Sequence, residues 1–508
     1  MIKKLVFLFA INCCFCHAQV ADSLNVEIDS LEIEIDSLWD SSSNKISNEK
    51  AIFKSLAALR NLEENKSNKW RVLHIGDSHI QADIITAHLR KHFQNKFGNG
   101  GLGFVFPYKM AKTNGSSLFK ISSDTSFENY KNIKPLDTLP VGLSGIALYT
   151  HKNNFSIELK VNDIYKFNTI KVITPENKNS LLFSSTLEFK NEVAQVPILK
   201  ELPKKTVGFT TKKVHTTITH KIKKGQVLST IAEKYNTTVS QIKKLNKLKS
   251  DDINYGKTLK IPTIVYKKTA VKVIDSASIS TVSKDTIAKE VVIKKYHSLP
   301  QISSPMSHDY QSETGLNSIY IMPNTEFKKF AINGLVLENN SSGVVYSALG
   351  VNGAKCSDFN KYEAFFQQIQ AVEPNLIVIS FGTNESFEKL DNNIFIEQLN
   401  ELIETIRLFN NDVEILVTTP QPSQFNRKYP NKFVAQYTKS ILEQAEIKNY
   451  AVWDMYKSLG GASSINSNFK NGIIAADKVH YTHKGYKKQA DDFYQAFLQV
   501  YESFKSTN

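Results

Sequence analysis

Four short stretches of this 508-residue chain hold side chains that could do chemistry. The first, Gly76-Asp77-Ser78-His79, sets a serine between an apolar run and a helical pattern. At such a junction the hydroxyl is exposed, and the serine N–H points outward with the positive end of the helix. The second, Gly350-Val351-Asn352-Gly353-Ala354, offers glycines, whose missing side chain lets a backbone N–H approach a substrate oxygen. The third, Phe381-Gly382-Thr383-Asn384-Glu385, adds a carboxamide donor, and the fourth, Asp477-Lys478-Val479-His480, sets a carboxylate three residues before an imidazole. Other reactive types lack such company. Cys356 has no base in its own stretch and reads as a small buried residue. His74, His79 and His483 read as packing or loop residues. The run Gly98-Asn99-Gly100-Gly101-Leu102-Gly103 has the letters of Gly-x-Gly-x-x-Gly but follows a helical pattern instead of a strand, which excludes a dinucleotide site. With no Walker loop and no His-Glu-x-x-His, no cofactor and no metal is expected.

Loops of this kind need a scaffold, and the surrounding pattern supplies one. Short apolar runs at 72–75, 344–348, 376–380, 414–418 and 451–454 read as strands. Between them lie helical periods at 80–96, 362–372, 394–409 and 433–447, with a last one at about 485–504. Strands of four to six residues alternating with longer helices predict an α/β fold, a parallel sheet covered on both faces. Ligands on such a sheet bind at the carboxyl ends of the strands. Three of the four stretches follow a strand there, and the fourth precedes the last helix. More than 200 residues of another character separate the first strand–helix unit from the rest. Stretches 104–216 and 296–340 are rich in Ser, Thr, Asn and β-branched residues, with alternating runs such as Phe155-Ser156-Ile157-Glu158-Leu159-Lys160-Val161, and predict an inserted all-β, sandwich-like domain.

The order Gly-Asp-Ser-His, Gly-x-x-Gly-Ala, Gly-Thr-Asn-Glu and Asp-x-x-His resembles the SGNH (GDSL-type) hydrolase superfamily, over roughly residues 68–103 and 341–508. The resemblance implies a flavodoxin-like α/β esterase. Serine at neutral pH is a poor nucleophile and needs a base, which His480 would supply to Ser78. Asp477 would accept the Nδ1 proton and stabilise the imidazolium. The oxyanion of a tetrahedral intermediate would take the N–H of Ser78, the N–H of Gly353 and the side-chain amide of Asn384. Gly353 is preferred to Gly350 because the superfamily's glycine sits late in its block. The glycine run at 97–104 and the β-rich insert after it also look like the peptidoglycan O-acetylesterase branch.

The formal charge of +14, from 63 Lys+Arg against 49 Asp+Glu, would suggest nucleic acid if it were spread evenly. It is not. Residues 201–300 hold 21 Lys+Arg and seven Asp+Glu, which leaves 42 of each sign in the rest of the chain. No nucleic-acid partner is expected. Within that segment, residues 217–262 read as strand, two short helices and strand, with Ile231, Tyr235, Val239, Ile242 and Leu245 facing inward. Leu245-Asn246 and the ending Gly256-Lys257-Thr258-Leu259-Lys260-Ile261-Pro262 resemble a LysM module, which implies binding of peptidoglycan or another N-acetylglucosamine-containing glycan. Its groove would lie at Gly225, Gln226, Val227, Leu228, Ser229 and Thr230, with Leu248, Ser250 and Ile253 opposite. The opening departs from the family's frequent Gly-Asp-Thr-Leu. Residues 263–295 read as a polar linker.

Residues 1–18 carry Lys3-Lys4, an apolar run and Ala18, the order of a secretory signal peptide. Residues 19–67 form a lead-in whose part from 21 to 42 has seven acidic and no basic residues. Three of the four cysteines lie in the signal segment, so the exported chain keeps Cys356 alone and forms no internal disulfide. No later apolar run is long enough to span a membrane. Together these readings predict an exported, periplasmic or cell-wall-associated serine esterase that removes O-acetyl groups from the muramic acid of peptidoglycan. The alternatives are an O-acetyltransferase, an acetylesterase acting on another acetylated glycan, or an inert cell-wall-binding protein.

Overall fold

Residues 69–76 are buried on both faces of the sheet they centre, and that burial explains the apolar runs. In the computed structural model, which describes residues 44–134, 141–223, 226–235 and 237–507, this strand lies between Gly343–Gly350 and Leu376–Ser380, parallel to both. The expected signal segment and acidic repeat lie outside the described residues, as does Gly225. The chain divides into two units, Met1–Glu188 with Lys295–Asn508, and Phe189–Lys294.

In the first unit Glu414–Thr418 and Ala451–Trp453 continue the parallel sheet on one side, and Asn99–Val105 continues it on the other. Successive side chains point to opposite faces. Trp70, Val72, Tyr346 and Val378 pack with helices Ile84–Phe97 and His483–Thr507, whereas Leu73, Ile75, Ile377 and Ile379 pack with Asn392–Phe409 and Lys432–Gln444. Each fully buried side chain of this size contributes about 1.5–3 kcal/mol by leaving water. His74 falls on the first face, and a buried imidazole there needs partners. It finds them in Tyr346 Oη at 3.0 Å and Ser380 Oγ at 2.7 Å.

The sheet does not stop where the alternation of strands and helices does. Beyond Asn99–Val105 it runs on, antiparallel, through Gly334–Glu338, Phe167–Ile173, His308–Leu316 and Gln301–Ser303, giving eleven strands in all. Part of the β-rich region therefore extends the main sheet, covering an edge that would otherwise expose unpaired backbone groups. Its other strands form a five-stranded and a three-stranded sheet. Residues 44–67, assigned by composition to the lead-in, also belong to this unit. Ile46–Ser47 pairs antiparallel with Ala451–Trp453, and helix Phe53–Asn65 buries Leu56, Leu59 and Leu62 beside Trp70. The acidic run ends at 42, and helical apolar spacing begins after it.

In the second unit, helices Leu228–Lys234 and Val239–Asn246 pack over Ile222, Ile231, Ile242, Leu259 and Ile261. Thr238 and Gln241 form a reciprocal cap on the second helix. The two ends of the module meet where Ile222 N–H donates to Lys257 O and Gly256 N–H to Ile222 O. The stretch 263–295, read as a polar linker, lies within a strand, Thr258–Ser298. Its many β-branched Val, Ile and Thr residues favour that conformation.

Candidate active site

The four stretches converge at the carboxyl ends of the parallel strands. Strand Lys69–Gly76 ends in a single helical turn, Ser78–Gln81, with Ser78 first. Asp77 caps that turn by accepting the His79 N–H at 2.9 Å. Two glycines make the junction possible. A Cβ on Gly76 would stand 2.7 Å from Ser380 O, and one on Gly350 would stand 2.3 Å from Gln81 N. Gly350 is thus packed against the serine's turn. Gly353, at φ +83°, is the glycine that lines the cleft, and a Cβ there would meet only Ile133 Cδ1, at 3.8 Å.

Asp477 and His480 sit on a turn with Lys478 in the left-handed region at φ 61°, a conformation costing a non-glycine residue about 1–2 kcal/mol. Its ammonium lies 3.5 Å from the Phe469 ring centre, and its carbonyl accepts the Gln424 N–H. Asp477 Oδ1 accepts the N–H groups of Val479 and His480, both at 2.9 Å. Its Oδ2 lies 2.7 Å from His480 Nδ1, and His480 Nε2 lies 3.2 Å from Ser78 Oγ. Serine, imidazole and carboxylate therefore stand in line across 402 residues of sequence. Partial burial opposes the Asp477 charge, but the bonds from His480 and Val479 outweigh it and hold the carboxyl below its usual range.

Asn384 Nδ2 donates to Ala354 O at 2.9 Å and, more weakly, to Asp77 Oδ2 at 3.2 Å. The N–H groups of Ser78 and Gly353 have no acceptor among the described residues. All three donors border one cleft of about 540 Å³, shared with His480, Asp477, Val479, Asn352, Asn114 and Phe387. Beneath it lie two carboxyls whose structural place the sequence did not mark. Glu385, fully buried, accepts the N–H of Cys356 at 2.9 Å and of Gly382 at 3.1 Å, tying the helical turn that follows the second stretch to the third. Burial pushes Glu385 up to about 7 and Asp77 to about 6.

The remaining candidates fall elsewhere. Cys356 is buried, and burial with the neighbouring Glu385 drives its thiol up, away from a nucleophilic thiolate. His79 packs tilted against His480 with ring centres 5.0 Å apart and meets Tyr486 Oη at 2.8 Å; burial, then the His480 charge, lowers it to about 3, so it stays neutral. His74 lies within the sheet and His483 is exposed at the start of the last helix. In the second unit, Val227, Ser229, Thr230 and Ser250 are exposed, and Leu248 and Ile253 partly so. Leu228 is a correction: its side chain is core, 2% exposed, because it opens the first helix on the inner face. Gln226 turns its carboxamide inward to His220 Nε2 and the Lys223 N–H. Asn114 was not foreseen at the cleft, since only the fold of the β-rich region carries it there.

Comparison with known proteins agrees with this division of the chain. The GDSL-like lipase/acylhydrolase family matches residues 331–488, and the LysM domain family matches 220–262. The first span holds Gly353, Asn384, Asp477 and His480 but not Ser78. A probable peptidoglycan endopeptidase from Bacillus subtilis (strain 168) is 56% identical over 43 residues, 8% of this chain and 13% of that protein. The match thus spans about an eighth of that relative's length. A solved structure described as a peptidoglycan O-acetylesterase in action superposes with a TM-score of 0.52 at 18% identity, over 89% of this chain and 96% of the other. A lipase/acylhydrolase from Enterococcus faecalis aligns over 31% of this chain and 75% of its own, at 20% identity and a TM-score of 0.24. The chain carries a GDSL-like lipase/acylhydrolase domain and a LysM domain on an α/β fold.

Proposed function

We propose that this chain, with its acylhydrolase and LysM domains, is a serine esterase that removes O-acetyl groups from peptidoglycan, acting outside the cytoplasm at the cell wall. The observation that carries the reading is the line Asp477–His480–Ser78, beside two N–H groups that have no acceptor among the described residues. Ser78 Oγ attacks the acetyl carbonyl carbon while His480 Nε2 takes the hydroxyl proton. Asp477 holds Nδ1 protonated and balances the imidazolium. The carbonyl oxygen becomes an oxyanion and supplies the acceptor that Ser78 N–H and Gly353 N–H lack. Asn384 adds a third donor by giving up its 3.2 Å bond to Asp77 while keeping the one to Ala354 O. Collapse of the intermediate breaks the ester C–O bond, and His480 passes its proton to the departing sugar oxygen. Water, deprotonated by His480, then cleaves the acetyl-enzyme to acetate and free Ser78. The LysM domain supports a wall glycan as substrate by raising the local concentration of ester along the strand.

A serine-directed phosphonate followed by intact mass tests the nucleophile. One adduct is expected on the wild type and none on Ser78→Ala; an equal adduct on both would remove Ser78 from the reaction. Acetate release from O-acetylated peptidoglycan, with and without an acceptor glycan, tests the substrate. Acetyl transfer exceeding acetate release would make the enzyme a transferase, and far faster release from xylan would move the substrate to another glycan. Deleting 217–262 should spare turnover of small acetyl esters and weaken retention on insoluble wall; unchanged retention would refute the tethering role.

A further inference from the structure

The β-rich region returns two loops to the Gly353 side of the cleft. Residues 108–116 bring Asn114 to its wall, with Thr113 behind. Strand Glu128–Lys131 and the turn after it bring Ile133 over Gly353. Gln81, last residue of the serine's helical turn, ties these parts together. Its Nε2 donates to Thr113 Oγ1 at 2.9 Å and Asn114 O at 2.6 Å, while its Oε1 accepts the Asn352 N–H at 2.6 Å. Asn352 Nδ2 donates to Asn114 Oδ1 at 2.6 Å and Thr113 Oγ1 at 3.3 Å. Lys131 Nζ reaches the same hydroxyl at 3.4 Å.

Donors crowd one acceptor of this cluster, while Asn352 Oδ1 is buried with no donor among the described residues. Thr113 Oγ1 faces three donors, one of them charged, with two lone pairs. The charge leans to the positive. Residues 108–116 and 128–134 contain Lys109, Lys112, Lys131 and Lys134 against one carboxylate, Glu128, which accepts the Tyr149 hydroxyl. Lys131 is partly buried and pairs with no carboxylate among the described residues; burial, then the charge of Lys134, holds its ammonium below its ordinary value. A partly desolvated cation with no counter-charge among the described residues would be stabilised by an anion that a ligand brings.

We propose that Lys131, with Thr113 and Asn114, forms a subsite on the Gly353 side of the cleft for a carboxylate that the substrate carries beside its ester. The inference rests on the esterase reading of this cleft and narrows the substrate to an anionic glycan. A wall glycan offers that carboxylate from two sources, the lactyl ether of a muramic unit freed of its peptide, or the peptide itself.

The test is competitive inhibition of p-nitrophenyl acetate hydrolysis by the full-length chain. N-acetylglucosamine is the neutral probe. N-acetylmuramic acid adds the lactyl carboxylate to the same ring, and muramyl dipeptide moves the carboxylate into the peptide. At least one anionic probe should bind roughly tenfold tighter than the neutral sugar, the contribution of one charge-assisted hydrogen bond. Which of the two does so identifies the source. Lys131→Met, which keeps the stem, should bring the ratio near one, and Lys131→Arg should preserve most of it. Lys439→Ala, on helix Lys432–Gln444, should leave the ratio at its wild-type value. Raising ionic strength should lower the wild-type ratio, which tests the charge even if Lys131→Met fails to fold. Equal inhibition by all three probes, or a preference that survives Lys131→Met, would overturn the subsite. Acetate release from O-acetylated peptidoglycan separates the two ideas. A carboxylate preference without such release keeps the subsite and removes peptidoglycan as substrate, while release without preference removes the subsite alone. No hydrolysis of p-nitrophenyl acetate would overturn both.

Discussion

Replacing Asn384 by alanine separates the chemistry of the cleft from its architecture. In the free enzyme Asn384 Nδ2 makes two bonds, to Ala354 O at 2.9 Å and Asp77 Oδ2 at 3.2 Å. Removing the carboxamide leaves both acceptors short of a donor, at a cost of about 1–3 kcal/mol in stability. In the transition state the loss is different in kind. One of the three proposed oxyanion donors would disappear, costing about 3 kcal/mol of differential stabilisation, and kcat should fall roughly 10²- to 10³-fold. KM should change little, since the ground-state ester carries no full charge for Asn384 to meet. The assay is kcat and KM on p-nitrophenyl acetate with the unfolding midpoint measured on the same preparation. Asn384→Asp, nearly the same shape, sets a second carboxylate beside Asp77 and against the oxyanion, so it should be at least as slow. A folded Asn384→Ala variant that loses less than tenfold in kcat, or whose loss lies wholly in KM, would refute the assignment.

Asp477→Asn keeps the shape that accepts the Val479 and His480 N–H groups but cannot hold Nδ1 protonated, so kcat should fall about 10⁴-fold with folding intact; a loss under a hundredfold on p-nitrophenyl acetate would contradict the role. Glu385 sits with its folded value raised from 4.5 to about 7, so its contribution to stability is full below 4.5 and is lost as pH rises through about 7. Urea midpoints should therefore show wild type losing about 3 kcal/mol more than Glu385→Gln between pH 5 and pH 8, and parallel curves would refute it. Gly350→Ala, whose new Cβ would lie 2.3 Å from Gln81 N and 2.6 Å from Asp77 O, should express poorly or melt many degrees lower. Gly353→Ala, whose Cβ makes only an ordinary contact with Ile133 Cδ1 at 3.8 Å but is strained at φ +83°, should fold and lose activity as its N–H shifts; circular dichroism melts and esterase rates on the pair check the contrast.

Much of this site could be read along the chain because its chemistry is local in sequence. Asp477 and His480 are three residues apart and share one turn, so their spacing already implied their contact. The strands at 72–75, 344–348 and 376–380 are buried on both faces, and continuous apolar runs have no other reading in an α/β pattern. Less legible were residues whose meaning depends on a distant neighbour. Gly350 and Gly353 differ in sequence only by their place in the block, which favoured Gly353 by resemblance; the packing of Gln81 and Asp77 against Gly350 supplies the physical reason. Leu228 could have lain on either face of its short helix, and the core of the second unit took it inward.

Residue types, their order and two periodicities were enough to determine an α/β acylhydrolase domain, a LysM domain and the Ser78–His480–Asp477 set. Tertiary structure alone decided that the β-rich region extends the main sheet, that Glu385 ties Cys356 to the third stretch, and that Asn114 borders the cleft with Lys131 beside Thr113. The reason is physical. Periodicity records whether a side chain faces a core or solvent, which local propensity and burial fix within a few residues. Which strand fills an open edge, and which loop it then carries to the cleft, depends on pairings between segments more than 200 residues apart, such as Gly334–Glu338 with Asn99–Val105. Those pairings leave no mark in the spacing of either segment by itself.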